Sequence, residues 1–137
     1  MTEKDLVKEA LEARKASYAP YSHFCVGAAL MTKDGKIYRG CNIENASYTP
    51  TNCAERTAFF KAVSEGEREF SAIAIVGGRA DADGTKTCFP CGVCRQVMAE
   101  FCDMETFKII LADGKDKTKS YTLKELLPGG FTPESLQ

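Results

Sequence analysis

Three cysteines lie at the starts of two predicted helices, and their spacing constrains the fold of this chain more than any other feature. Cys53 begins a helix predicted over 53–63, and Cys91 and Cys94 begin another, predicted over 90–101. A helix N-terminus favours the thiolate form of cysteine, and zinc binds thiolates. If the two helices cross the same edge of a sheet side by side, all three sulfurs can converge on one ion.

The other elements follow from hydrophobic periodicity and turn residues. Their order predicts an α/β protein with a mixed sheet covered by helices and with β-α-β units in the middle. We expect a single domain over 1–137. The predicted elements are a helix over 3–17 capped by Thr2 and Asp5, a β-hairpin of 24–32 and 36–43 around Asp34-Gly35, a loop over 42–52, a buried strand over 71–76, an exposed loop over 77–87, strands over 107–112 and 119–123, and a short helix over 125–127.

Composition excludes several classes of function. The net charge is −1, from 18 basic and 19 acidic residues, so nothing favours nucleic-acid binding by counterion release. No run of about 18 apolar residues exists to form a transmembrane helix. The N-terminal segment has no apolar signal core, which argues against secretion and favours a cytoplasmic protein. Disulfides are rare in that compartment, so the seven cysteines indicate metal binding, catalysis or burial.

Three cysteine ligands would leave the fourth tetrahedral position of zinc to water, which is typical of a catalytic site. Such a water ionises near neutral pH and becomes a nucleophile. Glu55 lies two residues after Cys53, so a first-turn carboxylate can exchange protons with that water. Three thiolates on a dication carry one net negative charge. Arg56 and Arg95 directly follow the ligand segments and could offset that charge by hydrogen bonding to sulfur.

Other interpretations of the cysteines remain open from spacing alone. They could be inert buried thiols, and Cys91-x-x-Cys94 alone could be a thioredoxin-like redox pair. A structural zinc site in a non-enzymatic binding protein would need a fourth protein ligand, such as Cys88. We expect Cys88 to be a small buried residue instead, together with Cys25, Cys41 and Cys102, and we expect the single histidine, His23, to be structural.

Zinc nucleobase deaminases share the pattern of a His or Cys, one residue and Glu, followed later by Pro-Cys-x-x-Cys. The sequence has Cys53-Ala54-Glu55 and Pro90-Cys91-Gly92-Val93-Cys94, and it resembles the cytidine deaminase family, of the small homotetrameric zinc type, along nearly its whole length. The further supporting segments are Tyr21-Ser22-His23-Phe24, Val26-Gly27-Ala28-Ala29, Gly40-Cys41-Asn42-Ile43-Glu44-Asn45, Arg56-Thr57, Arg95-Gln96 and Glu125-Leu126-Leu127-Pro128.

This resemblance implies a three-layer α-β-α fold, in which a mixed five-stranded sheet has helices on both faces. It implies one zinc ion per chain, held by Cys53, Cys91 and Cys94, with Glu55 as the proton shuttle. The implied reaction is hydrolytic deamination of cytidine and 2′-deoxycytidine to uridine and 2′-deoxyuridine, with release of ammonia, in pyrimidine salvage.

The resemblance also implies the substrate contacts and an assembly. Sites at subunit interfaces of a homotetramer would each bind a nucleoside, and the stretch 77–87 has no implied role. Asn42 and Glu44 would bind the ribose 3′-hydroxyl. Phe24 would stack beside the pyrimidine, the Ala54 N–H would hold the base carbonyl, and Glu55 would also bind ring N3. From neighbouring chains, Ala46 and Tyr48 would reach the ribose 5′ side, and Phe131 would pack on the base.

A related zinc deaminase of different substrate is the alternative. Deaminases of aminonucleoside antibiotics share the Cys-Ala-Glu and Pro-Cys-Gly-x-Cys motifs, but Asn42-Ile43-Glu44 favours a nucleoside with a free ribose hydroxyl. Deamination of a polynucleotide is disfavoured by the nearly neutral charge and by the absence of a basic groove signal.

Overall fold

The computed structural model describes residues 1–137, and its centre is one five-stranded sheet. The strand order is β2-β1-β3-β4-β5, in which only β3 and β4 are parallel. This confirms the predicted mixed sheet. The elements along the chain are α1 (Glu3–Arg14), β1 (Phe24–Thr32), β2 (Ile37–Cys41), α2 (Ala54–Ser64), β3 (Phe70–Arg79), α3 (Gly92–Phe101), β4 (Lys108–Ala112), β5 (Thr118–Thr122), α4 (Leu123–Leu126) and a 3₁₀ helix over Pro133–Leu136.

Helices cover both faces of the sheet, as the three-layer fold requires. Alternate residues of a strand point to opposite faces, so β3 contributes to two separate cores. Ile73 and Ile75 pack in the larger core, which α2 and α3 cover. Ala74 and Val76 pack in the smaller core, which α1 covers. The predicted α-β-α layering is therefore confirmed, and α2 and α3 share one face.

Chain direction brings the starts of α2 and α3 to the same edge of the sheet. The chain leaves α2 to enter β3, and it leaves β3 to enter α3, which crosses over to the parallel strand β4. Both helices therefore begin near the end of β3. Gly40 of β2 lets α2 lie directly on the sheet, because a Cβ there would be 2.3 Å from the Ala54 carbonyl oxygen and 2.5 Å from the Ala58 nitrogen.

Strand β3 is longer than predicted, so the expected exposed loop over 77–87 is wrong at its start. Gly77 and Gly78 pair with Val26 and Cys25 of β1, and the pairing continues to Arg79. Glycine composition suggested a loop, but the long strand β1 offers these residues a partner. Sheet pairing thereby overrides a weak local preference.

Helix boundaries also differ from the predictions. Helix α1 ends at Arg14 instead of residue 17, although the predicted capping box of Thr2 and Asp5 is confirmed. Helix α3 begins at Gly92, because Cys91 is the extended N-cap residue. The 3₁₀ helix near the C-terminus was not predicted. None of the helices is both long enough and apolar enough to span a bilayer.

The four cysteines expected to be buried are each only partly buried. Burial of Cys102 raises the pKa of its thiol, and burial does the same for Cys41. Cys25 and Cys88 also keep some contact with solvent. All four cysteines lie at strand ends, at a helix end or in a loop, where the helices and the sheet do not cover a side chain completely.

Candidate metal centre

The sulfurs of Cys53, Cys91 and Cys94 converge where α2 and α3 begin. The Cys53 and Cys91 Sγ atoms are 3.8 Å apart, those of Cys91 and Cys94 are 3.5 Å apart, and all three lie within 4.8 Å of one another. Thiolates at tetrahedral positions on zinc, each with a Zn–S bond of about 2.3 Å, are about 3.8 Å apart. The cluster therefore has the dimensions of a three-sulfur zinc site.

The local backbone explains why these sulfurs suit a cation. Cys53 and Cys91 are the N-cap residues of α2 and α3, and neither helix has a side-chain hydrogen bond to its first-turn N–H groups. Ser, Thr, Asp or Asn normally supplies that bond. The free N–H groups and the positive helix end here favour negatively charged sulfur. The side-chain exposure decreases from Cys91, which is exposed, to Cys94, which is buried.

Arg56 supplies positive charge to the sulfurs. Its Nη2 donates to Cys53 Sγ at 3.2 Å, and its buried Nε has no hydrogen-bond partner. The pKa of Cys53 is lowered to about 5, because the neighbouring Cys94 thiol and the Arg56 guanidinium stabilise its thiolate. The guanidinium is thus placed to offset the surplus negative charge of three thiolates on a dication.

Glu55 is a buried carboxyl group beside this cluster. It lies on the first turn of α2, is 4 % exposed and has no hydrogen bond to a side chain of another residue. Burial raises its pKa to about 7, and the negative charge of Cys53 contributes in the same direction. A carboxyl group that titrates near neutral pH can both accept and donate a proton, which suits general acid-base catalysis.

Cys88 does not join the three sulfurs as a fourth ligand. The metal-competent group contains Cys53, Cys91 and Cys94 only. Burial, followed by the charges of Glu55 and Cys53, raises the pKa of Cys88 to about 11, so its thiol stays protonated at neutral pH. Three protein ligands and no fourth favour a catalytic site over a structural one.

Arg95 binds backbone carbonyls in place of the sulfur that the sequence suggested. Its Nε donates to the Pro90 carbonyl oxygen at 2.8 Å, and its Nη1 donates to the Leu126 carbonyl oxygen at 2.6 Å. The guanidinium therefore ties the segment before Cys91 to α4 and orients that ligand through the backbone.

Two side chains to which the sequence analysis gave no role, those of Asn52 and Thr57, hold Cys53 in place. Asn52 donates from Nδ2 to Thr57 Oγ1 at 3.1 Å, and that hydroxyl donates to the Cys53 carbonyl oxygen at 3.2 Å. Their positions close to Cys53 in the sequence could have indicated this role, since polar residues near a metal ligand often orient it.

Asn42, Glu44 and Phe24 lie together at the start of β1. Asn42 accepts from the Val26 N–H at 2.9 Å and donates to the Phe24 carbonyl oxygen at 2.8 Å. Glu44 accepts from Tyr21 N–H at 3.0 Å and from Ser22 N–H and hydroxyl. The Ser22 hydroxyl is the main cause of the lowered Glu44 pKa, so Glu44 is a carboxylate. Amide and carboxylate groups have further hydrogen-bonding capacity beyond these bonds.

The remaining predicted residues differ widely in exposure. Ala54 is buried at the first position of α2, where a backbone N–H has no partner within the helix. Ala46 and Tyr48 lie in the loop after β2, and Tyr48 is 73 % exposed. Phe131 is 56 % exposed, and Gln96 of α3 donates to its carbonyl oxygen at 2.8 Å. Tyr48 borders a cavity of about 380 Å³ that also includes Glu44.

Comparisons with known proteins agree with this chemistry. A family model described as the cytidine and deoxycytidylate deaminase zinc-binding region matches residues 1–110. A cytidine deaminase from Halalkalibacterium halodurans is 54% identical over 136 residues, which cover 99% of this chain and 98% of the relative. A cytidine deaminase from Sporosarcina psychrophila is 52% identical, with 99% of this chain and 96% of the relative covered.

A solved structure shares the fold. The crystal structure of a cytidine deaminase from Burkholderia pseudomallei superimposes with a TM-score of 0.86 at 47% sequence identity. The match covers 96% of this chain and 100% of that one. The likeness therefore extends over the whole sheet and both helical layers.

Proposed function

The chain belongs to the cytidine and deoxycytidylate deaminase family, and from that premise we propose that it catalyses hydrolytic deamination of cytidine and 2′-deoxycytidine. The products are uridine or 2′-deoxyuridine and ammonia. One observation carries the proposal: three sulfurs with zinc-site spacing lie beside the buried Glu55 carboxyl, whose pKa is raised to about 7. A metal-competent cluster with an open position and an adjacent proton carrier is what hydrolysis at an aromatic carbon requires.

Cys53, Cys91 and Cys94 would hold one zinc ion per chain. When bound, zinc supplies a Lewis acid that makes a water molecule a nucleophile at neutral pH. Glu55 accepts a proton from the attacking water and delivers it to ring N3 while the water oxygen bonds to C4. Glu55 then moves the remaining hydroxyl proton to the exocyclic amine. The C4–N bond breaks, ammonia leaves, and the carbonyl of uridine forms.

The groups at the start of β1 would bind the nucleoside. In this proposal Asn42 and Glu44 face the ribose 3′-hydroxyl. A ligand without that hydroxyl would bind weakly, because the Asn42 amide and the Glu44 carboxylate would each lose a hydrogen-bond partner. Phe24 offers a flat apolar surface to the pyrimidine. The Ala54 N–H, free at the start of α2, would donate to the base carbonyl.

We infer further that the enzyme works as a homotetramer in which neighbours complete each site. Tyr48 and Phe131 are large side chains with most of their surface exposed, although apolar rings gain from burial. Their placement, with Ala46, supports contacts to a nucleoside in a neighbouring chain. The same inference makes the 15.0 kDa chain one catalytic domain of a larger assembly.

We also propose a cytoplasmic place in pyrimidine salvage. All seven cysteines are free thiols, and three of them must stay reduced to bind metal. A reducing compartment maintains that state. The substrate would be a free nucleoside, and pyrimidine salvage is the reuse of such free nucleosides.

A substrate panel tests the proposal. The protein is incubated separately with cytidine, 2′-deoxycytidine, cytosine, CMP and a short C-containing oligonucleotide, and ammonia release is measured. We expect release from the two nucleosides only. Release from CMP or from the oligonucleotide would overturn the substrate assignment. Metal analysis of freshly purified protein provides a separate check, and well under one zinc per chain would contradict the proposed site.

A further inference from the structure

Arg14, the last residue of α1, binds four backbone carbonyl oxygens through its guanidinium group. Its Nε donates to Cys25 at 2.9 Å, its Nη1 to Ala82 at 3.2 Å, and its Nη2 to Gly78 at 3.1 Å and to Arg79 at 2.7 Å. None of the ion pairs in the structure involves Arg14. Its donors are therefore used for holding backbone, with a planar fork that suits several acceptors at once.

The four carbonyls belong to three separate segments. Cys25 lies on β1, Gly78 and Arg79 end β3, and Ala82 lies in the following loop. In the sheet register, Cys25 pairs with Gly78, and Phe24 pairs with Arg79. Arg14 thus holds the last two pairs of the β1–β3 ladder and the loop that continues from them.

The loop also packs closely on the Arg14 side chain. Gly84 has a positive φ of 83°, and a Cβ at that position would lie 2.8 Å from Arg14 Cδ and 2.9 Å from Nε. Only glycine adopts this backbone conformation readily and permits so close an approach. The close contact between Arg14 and Gly84 therefore holds the loop after β3 against the end of α1.

This loop delivers two side chains to the neighbourhood of Phe24. Lys86 pairs with Gly77 through an isolated β-bridge, and its Nζ lies 6.0 Å from the centroid of the Phe24 ring. A Cβ on Gly77 would lie 2.9 Å from Cys88 Sγ and 3.3 Å from Phe24 Cε1, so all three residues meet at one point. The chain then continues through Phe89 into the ligand segment at Cys91.

Arg14 acts from the face of the sheet opposite to the sulfurs. It ends α1, which covers the smaller core, whereas α2 and α3 cover the larger one. Phe24 has the same orientation as Val26, two residues on, which packs against the larger core. Arg14 can therefore influence Phe24 only through the backbone.

We propose that Arg14 is a positioning residue for nucleoside binding: its hydrogen bonds to Cys25, Gly78, Arg79 and Ala82 set the place of the Phe24 ring and of the loop beside it. The inference rests on the proposed function, because it concerns the ring assigned to the pyrimidine. The loop after β3 had no role assigned from the sequence. In this proposal it supports the part of the site that binds the base.

Steady-state kinetics of Arg14→Met, Arg14→Lys and Gly84→Ala test the proposal. We expect KM for cytidine to rise by about tenfold in each variant while kcat stays within about threefold, because a stacking contact acts equally on substrate and transition state. Lysine keeps the charge but not the fork, so Arg14→Lys should not restore KM. Gly84→Ala should displace the loop while Arg14 is retained. This variant therefore tests the proposal even if Arg14→Met does not fold.

Arg68→Met is the matched control. Arg68 also donates to backbone carbonyls, those of Val63 and Glu67, but it lies after α2 and away from this edge. We expect its KM to equal that of the wild type. Amide hydrogen exchange should accelerate over 78–87 in the Arg14 variants and stay unchanged over 108–122.

Three results would overturn the positioning role: wild-type KM in Arg14→Met and Gly84→Ala, full recovery of KM in Arg14→Lys, or loss of kcat and zinc together with KM. Absence of cytidine turnover by the wild-type protein would instead overturn the proposed function, so the two failures are distinguishable.

Discussion

Glu55 is the one carboxyl group in the chain that is both buried and raised in pKa. It is one of two polar or charged residues that are buried, and the pKa of its carboxyl group is raised to about 7. A surface glutamate at a helix start would instead be stabilised as a carboxylate by the helix dipole. Burial therefore suits the carboxyl group to the proton transfer that we propose for it.

At this scale we predict that Glu55→Gln loses turnover by about 10²–10⁴-fold or more, because glutamine keeps the shape but cannot carry a proton. Ammonia release from cytidine measures the effect, and metal analysis should still find one zinc per chain. Glu65→Gln is the control, since Glu65 is an exposed residue at the other end of the same helix. Near-native turnover of a fully loaded Glu55→Gln protein would contradict the mechanism.

At the scale of elements, the contact between β2 and α2 determines where Cys53 and Glu55 lie. We predict that Gly40→Ala destabilises the protein by at least about 1–3 kcal/mol, because its Cβ would overlap the α2 backbone at Ala54 and Ala58. Urea denaturation of both proteins measures the difference. Gly92→Ala is the stability control, because a Cβ there meets nothing within 4 Å. Equal midpoints for Gly40→Ala and wild type would show that α2 can move outward without cost.

Tyr38 of β2 also joins that strand to the segment between α2 and β3, because its hydroxyl donates to Glu67 Oε2 at 2.8 Å. That hydrogen bond, with some burial, raises the pKa of Tyr38 to about 12 from an ordinary value of 10.0. The bond therefore stabilises the folded state fully below pH 10, and this contribution is lost as the pH rises through about 12.

The stability advantage of wild type over Tyr38→Phe should accordingly be constant from pH 7 to about 9 and shrink above pH 10. Urea denaturation at a series of pH values measures it. Tyr121→Phe controls for the loss of a hydroxyl, since the Tyr121 hydroxyl makes no hydrogen bond to another residue, although its ring packs near Phe89. A difference between wild type and Tyr38→Phe that does not change up to pH 12 would contradict the role of the hydrogen bond.

At the scale of the whole molecule, the proposed homotetramer would cover aromatic side chains that a single chain leaves exposed. Tyr48 and Phe131 remain largely exposed in the isolated chain. We predict that Phe131→Ala is weakly active alone, and that mixing it with inactive Glu55→Gln after dissociation and reassembly restores ammonia release, because hybrid assemblies contain sites with both Glu55 and Phe131. Mixing Glu55→Gln with itself is the control. No recovery in assemblies shown to be mixed would contradict sites shared between chains.

Local sequence patterns predicted the three-sulfur cluster and the mixed sheet, and the family resemblance added the α-β-α layering. Cysteines at helix starts, with an acid two residues later, are local patterns, and hydrophobic periodicity locates the strands and helices that position them. Short-range preferences were insufficient for the end of β3, where pairing with β1 converts a glycine-rich segment into strand. They were also insufficient for Arg95, because nothing near it in sequence reveals that the Leu126 carbonyl lies within reach.

The burial and the charged neighbours of these groups come from the packed fold. The pKa of Glu55 depends on how completely α2 is packed against the sheet, and the Sγ separations depend on how β3 directs α2 and α3 to one edge. Arg14 acts on residues up to 68 positions away in the chain. Spacing along a sequence specifies chemical groups, whereas burial, charge pairing and distances between remote segments arise only when the layers pack.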